Sequence, residues 1–219
     1  MASVVRVKRR RLSVYRLPLA LLILVAITSQ FAWGLQQPHF AAYNFFCYFT
    51  ILANVFAVLV LLSAVVSVPS HELDVFRGAA VVSLMIVWIV FSFLLSNLDV
   101  GLLPWVNAVL HYAAPPLLLL DWLLDPPPGQ LSAPDLLAWL LFPFAYLIFT
   151  LLRGSYINWY PYWFLNPKVV GYTGIITYAA GIFVLTILIA MVLYLIAAGM
   201  RSAFRVTSAK STSPRSSPR

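Results

Sequence analysis

An all-α fold, a polytopic membrane protein built as a bundle of six transmembrane helices with both termini cytoplasmic, is what this sequence predicts. Three observations predict it. Across 219 residues 63% are hydrophobic and 9% charged, with a mean hydropathy of +0.94, too little polar surface to keep a soluble domain of this size dispersed. The apolar residues gather in six long runs rather than alternating in ten-residue segments, which excludes a barrel. Basic residues are concentrated at the two ends of the chain.

A helix needs about 20 apolar residues to cross the hydrocarbon core, and helices satisfy their own backbone hydrogen bonds in lipid. Windows of that size give spans over Tyr15–Leu35, Tyr43–Val68, Phe76–Asn97, Leu103–Leu124, Asp135–Leu152 and Gly174–Ala198. The chain thus divides into a basic segment (1–14), a membrane domain (15–198) and a basic tail (199–219). The first span follows Arg6, Lys8, Arg9, Arg10, Arg11 and Arg16, as a secretory signal would. Its apolar run exceeds the length of a signal core, and Gln30–Gly34 is no cleavage site, so it reads as an uncleaved helix. No internal repeat is visible.

Six of the fourteen basic residues precede or open the first span, and Arg201, Arg205, Lys210, Arg215 and Arg219 follow the last. The expected outer loops carry only Arg153 and Lys168. Positive residues favour the cytoplasmic side, so an even number of spans puts both tails there, at a cell membrane. The net charge of +8 then reflects topology and contact with anionic lipid headgroups. The tail Ser208–Arg219, rich in Ser, Pro and Arg, reads as disordered and lacks the aromatic or helical context that nucleic-acid binding wants. A single cysteine, Cys47, allows no intrachain disulfide and no cysteine-built metal site.

Two loops have their own character. Asp125–Pro134 contains Pro126, Pro127, Pro128 and Gly129, a stiff, helix-incompatible connector. Arg153–Thr173 carries Tyr156, Trp159, Tyr160, Tyr162, Trp163 and Phe164. Such residues favour the headgroup region and form interfacial belts; the functional alternative is a lid or re-entrant cap over a cavity opening outward.

Ionisable groups within a bilayer are costly and face the bundle interior or a water pocket. His111 lies in the fourth span, Asp121 near its inner end, and Asp99, His39 and His71 fall in loops. The second span offers Asn44, Cys47, Thr50 and Asn54, whose spacing forms one stripe on a helical face. Counted from the span starts, Thr50 and His111 lie at a matched depth, roughly 10–12 Å below the outer boundary. A threonine hydroxyl becomes a useful nucleophile when a histidine takes its proton, and Asn54 could supply an oxyanion donor or orient the imidazole. The structural alternatives are a threonine bonded to its own helix and a histidine in an interhelical hydrogen bond. One intramembrane histidine is no coordination sphere, so neither metal nor cofactor is implied.

The run Tyr48-Phe49-Thr50-Ile51-Leu52-Ala53-Asn54 resembles the threonine motif of the androgen-induced/androgen-dependent family of multipass threonine hydrolases. Asn107-Ala108-Val109-Leu110-His111, followed by Pro115-Pro116 and Asp121, is similar to that family's histidine helix, and Trp159-Tyr160-Pro161 to its aromatic-proline element. The resemblance runs from about Asn44 to Pro161 and into the final helix, and is greatest to the shorter bacterial members, particularly in Asn44–Tyr48 and Tyr156–Asn166. It implies a six-helix intramembrane hydrolase with Thr50 as nucleophile and His111 as base; animal members cleave esters between a fatty acid and a hydroxy fatty acid. The expected substrate is a membrane lipid with a fatty-acyl ester. Asn44, Cys47, Pro115, Pro116, Trp159 and Tyr160 are candidates for cavity or lid, with the prolines kinking the fourth helix. Asp121, about 15 Å along the helix from His111, is expected to anchor the inner end or to pair with a cytoplasmic-side group. A transporter or lipid-binding protein, with His111 and the stripe lining a path, is the reading from another class, as is a structural subunit; the absence of repeats and paired broken helices speaks against transport.

Overall fold

The computed structural model describes the backbone of residues 2–98 and 101–212, and the side chains of 14–98 and 101–202. Among the described residues every regular element is helical. In chain order they are α1 (Ala2–Gly34), a single turn α2 (Ala42–Phe45), α3 (Phe49–Val66), α4 (His71–Val90), α5 (Pro104–Asn107), α6 (Ala114–Leu124), α7 (Ala133–Ile157) and α8 (Pro167–Thr212). Five helices are long and apolar enough to cross a membrane: Val14–Gly34, Phe49–Val66, His71–Leu95, Ala133–Ile157 and Pro167–Ser202. This is the make-up of a helical membrane protein. Asp99, expected in a loop, lies outside the described residues, as do residues 213–219 of the basic tail; as far as Thr212 the backbone continues α8.

Two stretches depart from α-helical winding. α4 ends in a π-helical turn, Phe91–Leu95, and another, Ala108–Ala113, joins α5 to α6, so Pro104–Leu124 is one unbroken helical run of mixed pitch. A π turn inserts a residue and rotates the side chains beyond it, and such turns are frequent at functional sites.

α4 is the centre of the bundle, touching α3, α6, α7 and α8. Its sequence explains why: Gly78, Ala79, Ala80 and Ser83 keep one stretch slim enough for close approach of its neighbours. At Gly78 a Cβ would overlap the Trp139 ring of α7. Within their membrane windows 61% of α4 is buried in protein against 11% of α7 and 17% of α8, so the last two helices present Leu137, Leu141, Phe144, Ile148, Ile176, Val184 and Leu188 outward. In water such a surface would be a liability; facing lipid it is the expected solvent-matched exterior.

The ends of the bundle are tied differently. At one end Arg16 of α1 pairs with Asp121 (2.6 Å) and Asp125 (2.8 Å), and Arg77 of α4 with Asp74 (3.1 Å), Asp121 (3.0 Å) and Asp125 (3.4 Å), all side chains buried. Asp121 thus anchors its end as expected, with Arg16 and Arg77 as its partners. Arg201 of α8 donates to the Gly129 carbonyl in the proline-rich connector (2.6 Å). After that connector comes a capping box, the Asp135 carboxylate accepting from the Ser132 backbone N–H (2.7 Å). His71, read from sequence as a loop residue, is the first residue of α4 and meets Asp135 at 3.0 Å. At the other end the Gln30 amide donates to the Gly101 carbonyl (3.1 Å) and its carbonyl accepts from the Leu103 N–H (2.9 Å), and Arg153 of α7 donates to the Asn44 side chain (2.7 Å).

The second span differs from its expectation. Instead of one helix over Tyr43–Val68, α2 ends at Phe45, Phe46–Tyr48 form a turn, and α3 begins at Phe49. The hydropathy of Tyr43–Tyr48 is high enough to pass for helix, but the backbone there is held by α7: the Tyr146 hydroxyl donates to the Cys47 carbonyl (2.9 Å) while Arg153 takes the Asn44 side chain. Asn44 and Cys47 therefore do not share a helical face with Thr50 and Asn54. Thr50 sits in the first turn of its helix, not seven residues into it.

Candidate active site

Thr50 and His111 meet. Thr50 Oγ1 lies 3.2 Å from His111 Nε2, although the two residues stand on helices that are not consecutive. The alternative for Thr50, a bond to its own helix carbonyl, is not what its hydroxyl makes. His111 occupies the π-helical turn Ala108–Ala113 and is only 3% exposed. Its ring stacks on Phe91 of the other π turn, centroids 3.7 Å apart and planes inclined by 24°. Both irregular turns therefore converge on this imidazole. Its Nδ1 points back toward the Asn107 carbonyl without reaching hydrogen-bond geometry. A proton on Nδ1 is favoured there, leaving Nε2 free to accept from the threonine hydroxyl.

Asn54, fully buried, is one turn beyond Thr50 on the same face of α3. Its amide nitrogen donates to the Thr50 carbonyl (2.8 Å) and to the Leu110 carbonyl (3.4 Å). Both amide protons are thus spent on backbone, and none remains for a developing oxyanion; of the two roles expected for Asn54, only orientation is compatible with this geometry.

The Leu110 carbonyl is free for Asn54 because of Pro115. In the π turn the Ala114 N–H donates to Val109, five residues back, and the next donor in that register would be residue 115, which as proline has no N–H. The carbonyl that accepts the asparagine lies just before the histidine, and the helical run continues into α6. Neither proline lines a cavity; Pro115 acts through the acceptor it leaves behind.

Two cavities meet at Thr50. The larger, about 620 Å³, opens between the C-terminal end of α1 and the loops beside it and is lined by Gln30, Trp33, Gln37, Tyr48, His111 and Tyr162 among others. None of its described lining residues is Lys, Arg, Asp or Glu. The smaller, about 80 Å³, is an apolar slot between α4, α7 and α8, walled by Val87, Val90, Pro143, Leu147, Ile182 and Phe183. Thr50, Phe91, Leu95 and Tyr162 belong to both. A larger chamber and an apolar slot thus share the Thr50 hydroxyl.

The aromatic segment after α7 turns inward. Asn158 closes α7 in the left-handed conformation (φ 53°), and Phe164 and Leu165 are buried at 2% and 3% exposure. Tyr162 stacks face to face on Phe164 (5.2 Å, 2°) and edge-on against Tyr48 (5.9 Å). The segment is thus a cap over the cavities, not solely an interfacial belt. Its working residues differ from those singled out by sequence: Trp159 packs against Tyr48 and lies under the Arg153 guanidinium, and Tyr160 covers Gly154, where a Cβ would strike its ring. Neither lines a cavity, whereas Pro161, Tyr162 and Trp163 do. Asn44 and Cys47, too, stand outside both.

Sequence reasoning missed Phe91, Tyr162 and the helix start at Phe49. The dense aromatics of 156–164 were the only signal for the second. Among the described residues no group of three or more His, Cys, Asp or Glu side chains could hold a metal ion. No protein-family model matches this chain, and neither a curated protein nor a solved structure does.

Proposed function

We propose that this protein is an intramembrane hydrolase of fatty-acyl lipid esters, with Thr50 as nucleophile and His111 as general base and acid. The observation that carries the reading is the 3.2 Å contact between Thr50 Oγ1 and His111 Nε2 at the junction of two cavities. The resemblance of residues 48–54 and 107–121 to the androgen-induced/androgen-dependent hydrolases points the same way. The reading takes Pro104–Leu124 as a sixth crossing, with both termini cytoplasmic. Support for that topology comes from the basic ends of the chain and from two contacts at one pole of the bundle: Arg16, near the start of the Val14–Gly34 span, with Asp125 just past α6, and Arg201, near the end of the Pro167–Ser202 span, with Gly129 in the connector.

In the reaction the part of the acyl chain next to the carbonyl enters the apolar slot and the alcohol portion the larger chamber. Thr50 Oγ1 attacks the ester carbonyl carbon as its proton passes to His111 Nε2. The tetrahedral intermediate collapses, the ester C–O bond breaks, and the imidazolium returns the proton to the leaving alkoxide. Water entering from the chamber attacks the acyl-threonine, His111 takes its proton, and collapse releases the fatty acid and regenerates the threonine hydroxyl. Phe91, stacked on the imidazole, holds the ring plane toward Thr50 throughout.

The test is covalent labelling of the purified full-length protein with an alkyl fluorophosphonate, followed by hydrolysis of a p-nitrophenyl fatty-acyl ester. Labelling and turnover are expected in the wild type and lost in Thr50→Ala. Labelling that survives this substitution rejects the nucleophile.

A further inference from the structure

Resting on that reading, we infer that Tyr162 is a further catalytic residue: its phenol, together with the backbone N–H of Thr50 at the start of α3, forms the oxyanion hole. Three observations carry this inference. First, α3 begins at Phe49, with the Leu52 N–H the first to close back, onto Tyr48. The N–H groups of Phe49, Thr50 and Ile51 therefore have no carbonyl within their own helix and point out of its N-terminus. The nucleophile is one of these three residues, so its hydroxyl and the positive end of an 18-residue helix are presented together.

Second, a hydroxyl from 112 residues away is brought to that end. The Thr50 N–H donates to Tyr162 Oη across 3.4 Å, and the same phenol lies against the Phe49 N–H and the Thr50 hydroxyl. Two donors 3.4 Å apart can both reach one oxygen placed about 2.8 Å from each, an ordinary hydrogen-bond length. A carbonyl oxygen whose carbon is under attack by Oγ1 takes the Thr50 N–H from the phenol, replacing the 3.4 Å bond between them. The phenol hydrogen rotates freely about its C–O bond, so the tyrosine that accepts from Thr50 in the empty site becomes a donor to the oxyanion.

Third, the phenol is fixed and stays protonated. Stacking on Phe164 and the edge contact with Tyr48 hold the ring, while Gly154 admits Tyr160 and so allows the segment to descend. Burial pushes the Tyr162 hydroxyl up to about 12, so it keeps its proton at any ordinary pH. The other candidate donor, Asn54, has already committed both amide protons to carbonyls. The site therefore has base and nucleophile on two helices and its oxyanion donors on a third element and a helix start. This is the division of labour that makes such stabilisation pre-organised.

The experiment uses the full-length protein in detergent, with rates normalised to folded protein by size exclusion. Wild type, Tyr162→Phe and Thr50→Ala are compared for p-nitrophenyl acyl ester hydrolysis and fluorophosphonate labelling. Loss of one oxyanion donor lowers kcat by roughly a hundredfold; Tyr162→Phe, which keeps the ring and its stacking, is expected to do so with KM within about twofold and with labelling slowed in parallel. A fall of less than about tenfold, or one carried mainly by KM, overturns the inference while Thr50→Ala remains inactive. Labelling absent from wild type, or retained in Thr50→Ala, removes the threonine mechanism and this inference with it.

Discussion

The bundle buries polar groups at both its ends, and it treats them in opposite ways. At the end holding Arg16, Arg77, Asp74, Asp121 and Asp125, ions are locked by multiple bridges of 2.6 to 3.4 Å, and no described cavity reaches them. At the end holding Thr50 and His111, neutral groups share one contact and open on two cavities. Buried atoms without a partner occur at both ends, Arg16 Nη1 and Arg77 Nε among the ions and Asn54 Oδ1 and His111 Nδ1 at the other, so charge and access to open space are what tell the ends apart. The difference between the two ends separates chemistry from scaffolding more sharply than burial does, since both ends are buried.

The comparison is sharpened most by the largest effect. Thr50→Val, near in shape, is expected to cut ester turnover at least about a thousandfold, while the thermal midpoint stays almost unchanged, since only one hydrogen bond is lost. A large drop in midpoint would make Thr50 part of the scaffold. Asp121→Ala should do the reverse: it leaves two guanidinium groups short of a carboxylate and costs about 3–5 kcal/mol, the range for breaking a buried pair. Denaturant or thermal unfolding in detergent reads this; a variant as stable as the parent would mean that the cluster holds nothing together. Asn54→Leu sits between the two ends in kind. It abandons the Leu110 carbonyl at a cost of about 1–3 kcal/mol and lets His111 drift, so both midpoint and kcat should fall while KM does not. His71→Ala removes a contact to Asp135 whose histidine is half exposed and should change stability by less than about 1 kcal/mol, with turnover unaffected.

How far the sequence could be read obeys the same division. The membrane runs, the anchoring by Asp121 at one end and the proximity of Thr50 to His111 come from transfer free energy and helical rise, which act residue by residue. The break at Phe46–Tyr48 does not, because its side chains are as apolar as those of a span. Only the clamps from Tyr146 and Arg153, about a hundred residues distant, stop the helix there. Depth counted along an assumed helix was therefore built on a wrong start, although it brought the right two residues together. The π turns are invisible for a related reason: hydropathy measures what a side chain prefers, whereas winding depends on which backbone donors exist. The inward course of Tyr162 was hidden because aromatic residues serve equally as membrane anchors and as packing for a cap. Arg16, counted in sequence among the charges that orient the first span, is instead wholly enclosed and salt-bridged.

Pro115 shows how small a cause can set a helix's register. An ordinary residue at that position would bring an amide hydrogen, and that hydrogen would compete with Asn54 for the Leu110 carbonyl. With the competition won, the π-wound turn would gain one more bond and Asn54 would lose its hold on the segment that carries His111. The imidazole would then be less firmly braced against its threonine partner. The machinery is held in gear by a missing atom.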